Sequence, residues 1–113
     1  MNLLILFYAI VAIESGNDWR AVGDNGKSIG PAQIQEGVVK DCNRILGKEI
    51  FTLADRTNFD KSYHMFAIYT NHYGKKYGLS DEVRARVWNG GPKGPEKKAT
   101  EKYWSKVQSK LNQ

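Results

Sequence analysis

The chain has a single cysteine, Cys42, in 113 residues, which excludes an intramolecular disulfide and any cysteine-rich metal site and leaves the fold to stand on packing alone. Cys42 itself reads as a small buried apolar residue. Only two histidines occur, His64 and His72, eight positions apart and without the spacing of zinc ligands, so no metal and no cofactor is expected. A targeting signal is not evident. Leu3 to Ile13 form an eleven-residue apolar run after Met1, but no basic segment precedes it, no small-x-small site follows it, and it is about half the length of a membrane span. It reads as a buried helix, with no membrane span expected. No internal repeat or linker interrupts the sequence, so residues 1–113 are expected to form one domain around one modest core.

Acidic residues are also in deficit, 12 against 17 Lys and Arg, for a net charge of +5 and an isoelectric point near 9.4. That balance favours anionic partners such as nucleic acid, membrane surfaces or acidic cell-wall polymers. Nucleic acid is not expected, because neither a helix-turn-helix nor an RNA-binding motif accompanies the charge. The lysine clusters in "GKKYG" and "GPKGPEKKATEKYW" are the pattern of solvated faces. A hydrophobic content of 41% with a mean hydropathy of −0.56 describes a globular chain with a polar surface.

What is present is a helical pattern broken once by a turn-rich stretch. "GNDWRAVGDNGKSIGPAQI" predicts turns and a small β-hairpin around Asp24-Asn25-Gly26, the loop wall of a cleft. A helix is expected from Pro31 through "AQIQEGVVKDCNRIL", with Pro31 in its first turn, Gly47 past its end, and Ile34, Val38, Cys42, Ile45 and Leu46 as its apolar stripe. "FDKSYHMFAIYTNHYG" carries Phe59, Tyr63, Phe66, Ile68, Tyr69 and Tyr73 at helical spacing and predicts the central helix, ending at Gly74. "SDEVRARVWNGG" reads as a helix capped by Ser80 and stopped at Gly90-Gly91-Pro92, and a last helix is expected from Thr100. The expected fold class is α+β, mostly helical, with about five helices and one hairpin flanking a cleft.

One carboxylate stands out. Glu14 follows an apolar helix and precedes Ser15-Gly16, a place where desolvation can keep a carboxyl protonated while the adjoining loop opens to a ligand. Glycosidic cleavage needs such an acid and a second group, and Asp24, ten residues on in a polar turn, is the candidate for the second role. By itself a glutamate at a helix end is equally a cap or a surface carboxylate. Gly30, Gly90 and Gly91 permit tight turns and close backbone approach to a ligand. Trp19, Trp88 and Trp104, with Tyr69 and Tyr103, could stack on pyranose rings or simply pack in the core; Tyr69 is the one placed in the cleft, with Asn71 and His72 as weaker candidates.

"ESG", "SIGPAQI", "WNGGPKG" and "YW.KV" follow one another along nearly the whole chain. In this order they resemble the lysozyme-like superfamily, and most closely the invertebrate-type (destabilase) lysozymes, with a more distant likeness to soluble lytic transglycosylases. The resemblance covers residues 5–108. It implies a lysozyme-like fold and a monomeric glycoside hydrolase, bacteriolytic and antimicrobial, that degrades cell walls by cleaving the β-1,4 bond between N-acetylmuramic acid and N-acetylglucosamine in peptidoglycan. The enzyme would act extracellularly, in the periplasm or at the cell wall, with peptidoglycan strands and anionic wall polymers as its partners. Carried over by residue, it makes Glu14 the catalytic acid and Asp24 the second carboxylate, places Gln33 of "GPAQI" in the sugar cleft, and gives Asn89 and Gly90 of "WNGGP", with Trp88 and Tyr69, to substrate binding. Two rival readings are a transglycosylase yielding 1,6-anhydro sugars and a glycan-binding module without turnover. The chain departs from these lysozymes in its lack of disulfides and in Trp88, where many have histidine; isopeptidase activity is not expected.

Overall fold

The computed structural model describes residues 2–113. The apolar run forms helix α1, Leu3–Ser15, started by Asn2, whose side chain accepts the Leu4 amide at 2.7 Å, and stopped by Gly16 in the left-handed conformation at φ 68°. Leu6, Phe7, Ala9, Ile10 and Val11 are buried, while Ile5 and Tyr8 face outward. The hairpin follows: β1, Val22–Gly23, pairs antiparallel with β2, Ser28–Ile29, in the register Val22 to Ile29. Its tight turn, Asp24–Gly26, has three successive positive φ values of 49°, 57° and 90°, a conformation that Asp, Asn and Gly adopt at least cost.

Helix α2 runs Glu36–Leu46, α3 Phe59–Gly74, α4 Asp81–Gly90 and α5 Ala99–Leu111. Five helices and a two-stranded sheet make a mostly helical α+β fold. Ser80 caps α4 by accepting the Val83 amide, and Asn58 caps α3 in the same way through Lys61. Helix α4 packs against both α3 and α5, α5 against α1, and α3 against α2. Phe7 of α1 sits among Phe59, Tyr63 and Phe66 of α3 with ring centroids 5.2, 5.4 and 5.2 Å away. Cys42 is buried as expected, its thiol donates to the Met65 carbonyl at 3.4 Å, and burial pushes its pKa up to about 12, which makes it a packing group rather than a nucleophile.

One expected element is corrected. The second helix begins at Glu36 and not at Pro31, because Gly30 and Gln33 both take positive φ, 83° and 55°, and Ile34 exchanges backbone hydrogen bonds with Ile29 at 3.0 and 3.1 Å. The chain from Gly30 to Ile34 therefore folds back onto the hairpin, so Ile34 leaves the proposed stripe, and Leu46 lies largely exposed. The buried side of α2 is Val39, Cys42 and Asn43. Asn43 has a role that apolar spacing does not reveal. Its side chain donates to the Phe51 carbonyl at 2.9 Å and accepts the amides of Ile50 and Phe51 at 3.0 and 2.9 Å, pinning the segment after the helix.

Replacing this residue is expected to be costly. Asn43→Leu keeps a side chain of similar size but strands buried backbone groups, each worth about 1–3 kcal/mol when unpaired, so urea denaturation should register a loss of about 3 kcal/mol; a loss under about 0.5 kcal/mol contradicts the assignment.

Candidate functional site

The stretch Glu14-Ser15-Gly16 divides three tasks among three residues. Gly16 ends α1 by donating its amide to the Ala12 carbonyl at 3.2 Å. Ser15 ties that end to the following loop, its hydroxyl donating to the Pro31 carbonyl at 2.7 Å and accepting the Asp18 amide at 3.0 Å. Glu14, on the side facing α5, accepts the Tyr103 hydroxyl at 2.8 Å. Burial raises the Glu14 pKa above its ordinary 4.5, the nearby charge of Asp24 pushes the same way, and the Tyr103 hydrogen bond opposes them. Tyr103 is itself buried, and burial followed by the Glu14 charge holds its pKa well above the ordinary value, so it remains a donor.

The other expected residues converge on the same place. Glu14, Asp24, Gln33, Tyr69, Trp88, Asn89 and Gly90 all line one open cleft of about 470 Å³, within the size range of small-ligand sites. Asp24 stands exposed on the hairpin turn and accepts the Ser28 hydroxyl. Gln33 holds a left-handed backbone at φ 55°, a strain of order 1 kcal/mol for a non-glycine residue, and its amide fastens the turn by donating to the Gly30 carbonyl at 3.0 Å and the Ala21 carbonyl at 3.3 Å. Gly30 can be nothing larger, since a Cβ there would meet the Arg56 carbonyl oxygen at 1.9 Å.

Across the cleft, Trp88 is fixed by its core contacts. Its indole N–H donates to the Ala32 carbonyl at 3.3 Å, and its ring meets Phe66 and Tyr69 edge to face at 5.3 and 5.8 Å. Asn89 is exposed beside it. The α4 end is held from behind by Arg86, whose guanidinium donates to Thr100 Oγ1 at 2.7 Å, Glu82 at 2.8 Å and the Lys97 carbonyl at 3.1 Å. A carboxyl whose protonated form is favoured, beside an exposed carboxylate, can give a proton to a group in the cleft or donate a hydrogen bond to an oxygen there.

Some candidates lie elsewhere. Trp19 is exposed on the loop before the hairpin, Trp104 packs against the core, and Asn71 and His72 sit on the exposed side of α3; none lines the cleft. His64 is also exposed, and among the described residues no three His, Cys, Asp or Glu side chains form a metal-binding group. The ring of Tyr103 is buried rather than open to a ligand, and its hydroxyl serves Glu14. That pairing joins residues 89 positions apart, and only the packing of α5 on α1 reveals it. Gly91, named above for close backbone approach to a ligand, also lines the cleft, as do Ser28 and Gln35, which were not singled out.

No family model matches the chain, and no curated protein does. Among solved structures, a chain of the crystal structure of Aeromonas hydrophila PliI in complex with Meretrix lusoria lysozyme is similar to this one with a TM-score of 0.78 and 28% identity, covering 93% of this chain and 87% of that chain. That crystal holds two proteins, and the superposed chain is one of them.

This finding corrects what the resemblance implied. The likeness is to a member of a protein–protein complex between an inhibitor and a lysozyme, so the assignment to invertebrate-type lysozymes, the glycoside hydrolase activity on peptidoglycan and the bacteriolytic and antimicrobial roles are not carried forward. The transglycosylase and glycan-binding alternatives go with them. Peptidoglycan strands and anionic wall polymers are likewise not carried forward as partners. The physical reason is that "ESG", "SIGPAQI" and "WNGGP" specify a cleft walled by glycine turns, and such a cleft accommodates a protruding protein segment as well as a sugar strand. Among the described residues no helix is long and apolar enough to cross a membrane.

The raised Glu14 pKa fixes a pH dependence of stability. The folded protein holds this proton more tightly than the unfolded chain, so stability is highest below the ordinary value of 4.5 and falls as pH rises through the higher folded-state value. Urea unfolding of Glu14→Gln across this window should lack that component and leave the variant more stable than wild type at neutral pH, and Tyr103→Phe should move the window upward. Parallel pH profiles for wild type and Glu14→Gln would contradict the assignment.

Proposed function

We propose that the cleft is a protein-recognition site and that this chain is the cleft-bearing member of a complex of the kind formed by PliI and the Meretrix lusoria lysozyme. The observation that carries the reading is that Glu14, Asp24, Gln33, Trp88 and Asn89 face one concave opening, a shape that receives a protruding segment rather than supplies one. Glu14 is the proton-donating group of the pair and Asp24 the accepting carboxylate. Gln33, Tyr69, Trp88, Asn89 and Gly90 form the walls that position what enters, with the aromatic rings as rigid anchors of the type that dominates binding energy at interfaces. The proposal takes the 113 residues as a single domain with one such cleft. On the same likeness it places the working compartment outside the cytoplasm, in the periplasm or the extracellular space.

Calorimetric titration against each of the two proteins in that crystal tests this reading. The expected result is a one-to-one complex with PliI with a dissociation constant below about 1 μM. Asn89→Arg changes an exposed side chain in the cleft and should weaken the complex at least about tenfold, or roughly 1.4 kcal/mol. A complex with the lysozyme instead puts this chain on the inhibitor's side, and binding to neither protein removes the proposal.

A further inference from the structure

A second hollow, of about 400 Å³, adjoins the cleft through Gln35, which lines both. Its walls are Gly26 and Lys27 from the hairpin turn, Glu36 and Gly37 at the start of α2, and Arg56 from the segment before α3. Neither cation here has a carboxylate within ion-pair distance among the described residues. Lys27 is exposed and has no ion-pair partner among the described residues. Arg56 is held by backbone instead: its Nε donates to the Leu53 carbonyl at 2.9 Å and one terminal nitrogen to the Ile34 carbonyl at 3.3 Å, which fixes the guanidinium without neutralising it.

The one carboxylate in the hollow is already matched. Glu36 lies 2.8 Å from Lys40, and that ion pair holds its carboxyl below the usual range, with Arg56 contributing in the same direction. The hollow therefore presents two positive charges without an ion-pair partner, carried on two separate segments. It also has room, because a Cβ added at Gly26 or Gly37 would meet nothing within 4 Å.

We infer that this hollow is a carboxylate-binding annex of the cleft, taking an aspartate or glutamate side chain of the protein partner between Lys27 and Arg56. The inference rests on the protein-recognition reading for the identity of its ligand, but its geometry is independent of which partner that is. The Arg56 Nη2, the guanidinium nitrogen not engaged by a carbonyl, and the Lys27 point charge in the same hollow suit a carboxylate approached by a peptide strand, and the continuity at Gln35 lets one extended segment occupy the cleft and the annex together.

Nuclear magnetic resonance titration of the full chain with N-acetyl-triglutamate amide, and in parallel with its triglutamine counterpart, tests the inference without any partner protein. The expected result is that triglutamate alone shifts the amides of Gly26, Lys27, Gln35, Glu36, Gly37 and Arg56. Lys27→Glu should weaken its binding at least about tenfold. Gly37→Glu, which places a carboxylate in the hollow at a helical position that accepts any L-residue, should do the same, whereas Gly37→Ala should not. Equal responses to the two peptides, shifts confined to other surfaces, or wild-type affinity in Lys27→Glu would overturn the annex. Because the probe is a free peptide, failure of the chain to bind PliI or the lysozyme leaves this result standing, and failure of the annex leaves the cleft reading to its own titration.

Discussion

The site depends on one constraint: α1 carries no charge until Glu14. A helix apolar on nearly every face buries most of its surface, all but Ile5 and Tyr8 being buried or half-buried; each fully buried Leu, Ile, Phe or Val side chain contributes about 1.5–3 kcal/mol, and the first ionisable group after that run is carried to the edge of the same interior. Glu14 is thus desolvated by the packing of its own helix. The cost of holding a carboxyl there is offset by protonation and by the hydroxyl of Tyr103, which couples the acid to the contact between α1 and α5. A change that loosened α5 would alter the acid without touching the cleft.

The rest of the cleft is hung from that fixed point. Ser15 reaches from α1 to the Pro31 carbonyl, and Trp88 reaches from α4 to the Ala32 carbonyl, so the turn between hairpin and α2 is grasped from both sides at adjacent residues. Gln33, one residue further on, can then keep its unfavourable backbone conformation because neighbours on both sides determine it. The aromatic contacts from Phe7 through Phe66 to Trp88 and Tyr69 run from the core to the cleft wall. Recognition surfaces built on locked side chains lose little entropy when they bind, which fits a cleft that meets a structured partner.

The sequence made the helices legible wherever local signals agreed. The central helix α3 and the Ser80 cap of α4 follow from periodicity and capping alone, and the hairpin from its Asp-Asn-Gly turn. The start of α2 was not legible, because Pro31 is a good first-turn residue in general and only the long-range pairing of Ile34 with Ile29 diverts it into a turn. Glu14, Asp24, Gln33, Tyr69, Trp88, Asn89 and Gly90 gather in one cleft from four separate stretches of the sequence. The Tyr103 contact, the triple role of Asn43 and the charged hollow beside Gln35 were hidden, since each joins segments that no local pattern connects. What those residues serve was the least legible part: a glycine-walled cleft with an acid at its edge is one geometry with more than one occupant.

The central claim is that the fold itself, through burial, favours the protonated form of Glu14 in an open cleft. Carbon-13 resonance of the glutamate side-chain carboxyls, assigned with Glu14→Gln, measures this directly. At pH 4.5, where an unperturbed glutamate is half ionised, Glu14 is predicted to be mostly protonated, and to lose part of that excess in Asp24→Asn because a neighbouring negative charge is removed. A Glu14 carboxyl half or more ionised at that pH, unaffected by Asp24→Asn, would contradict the account.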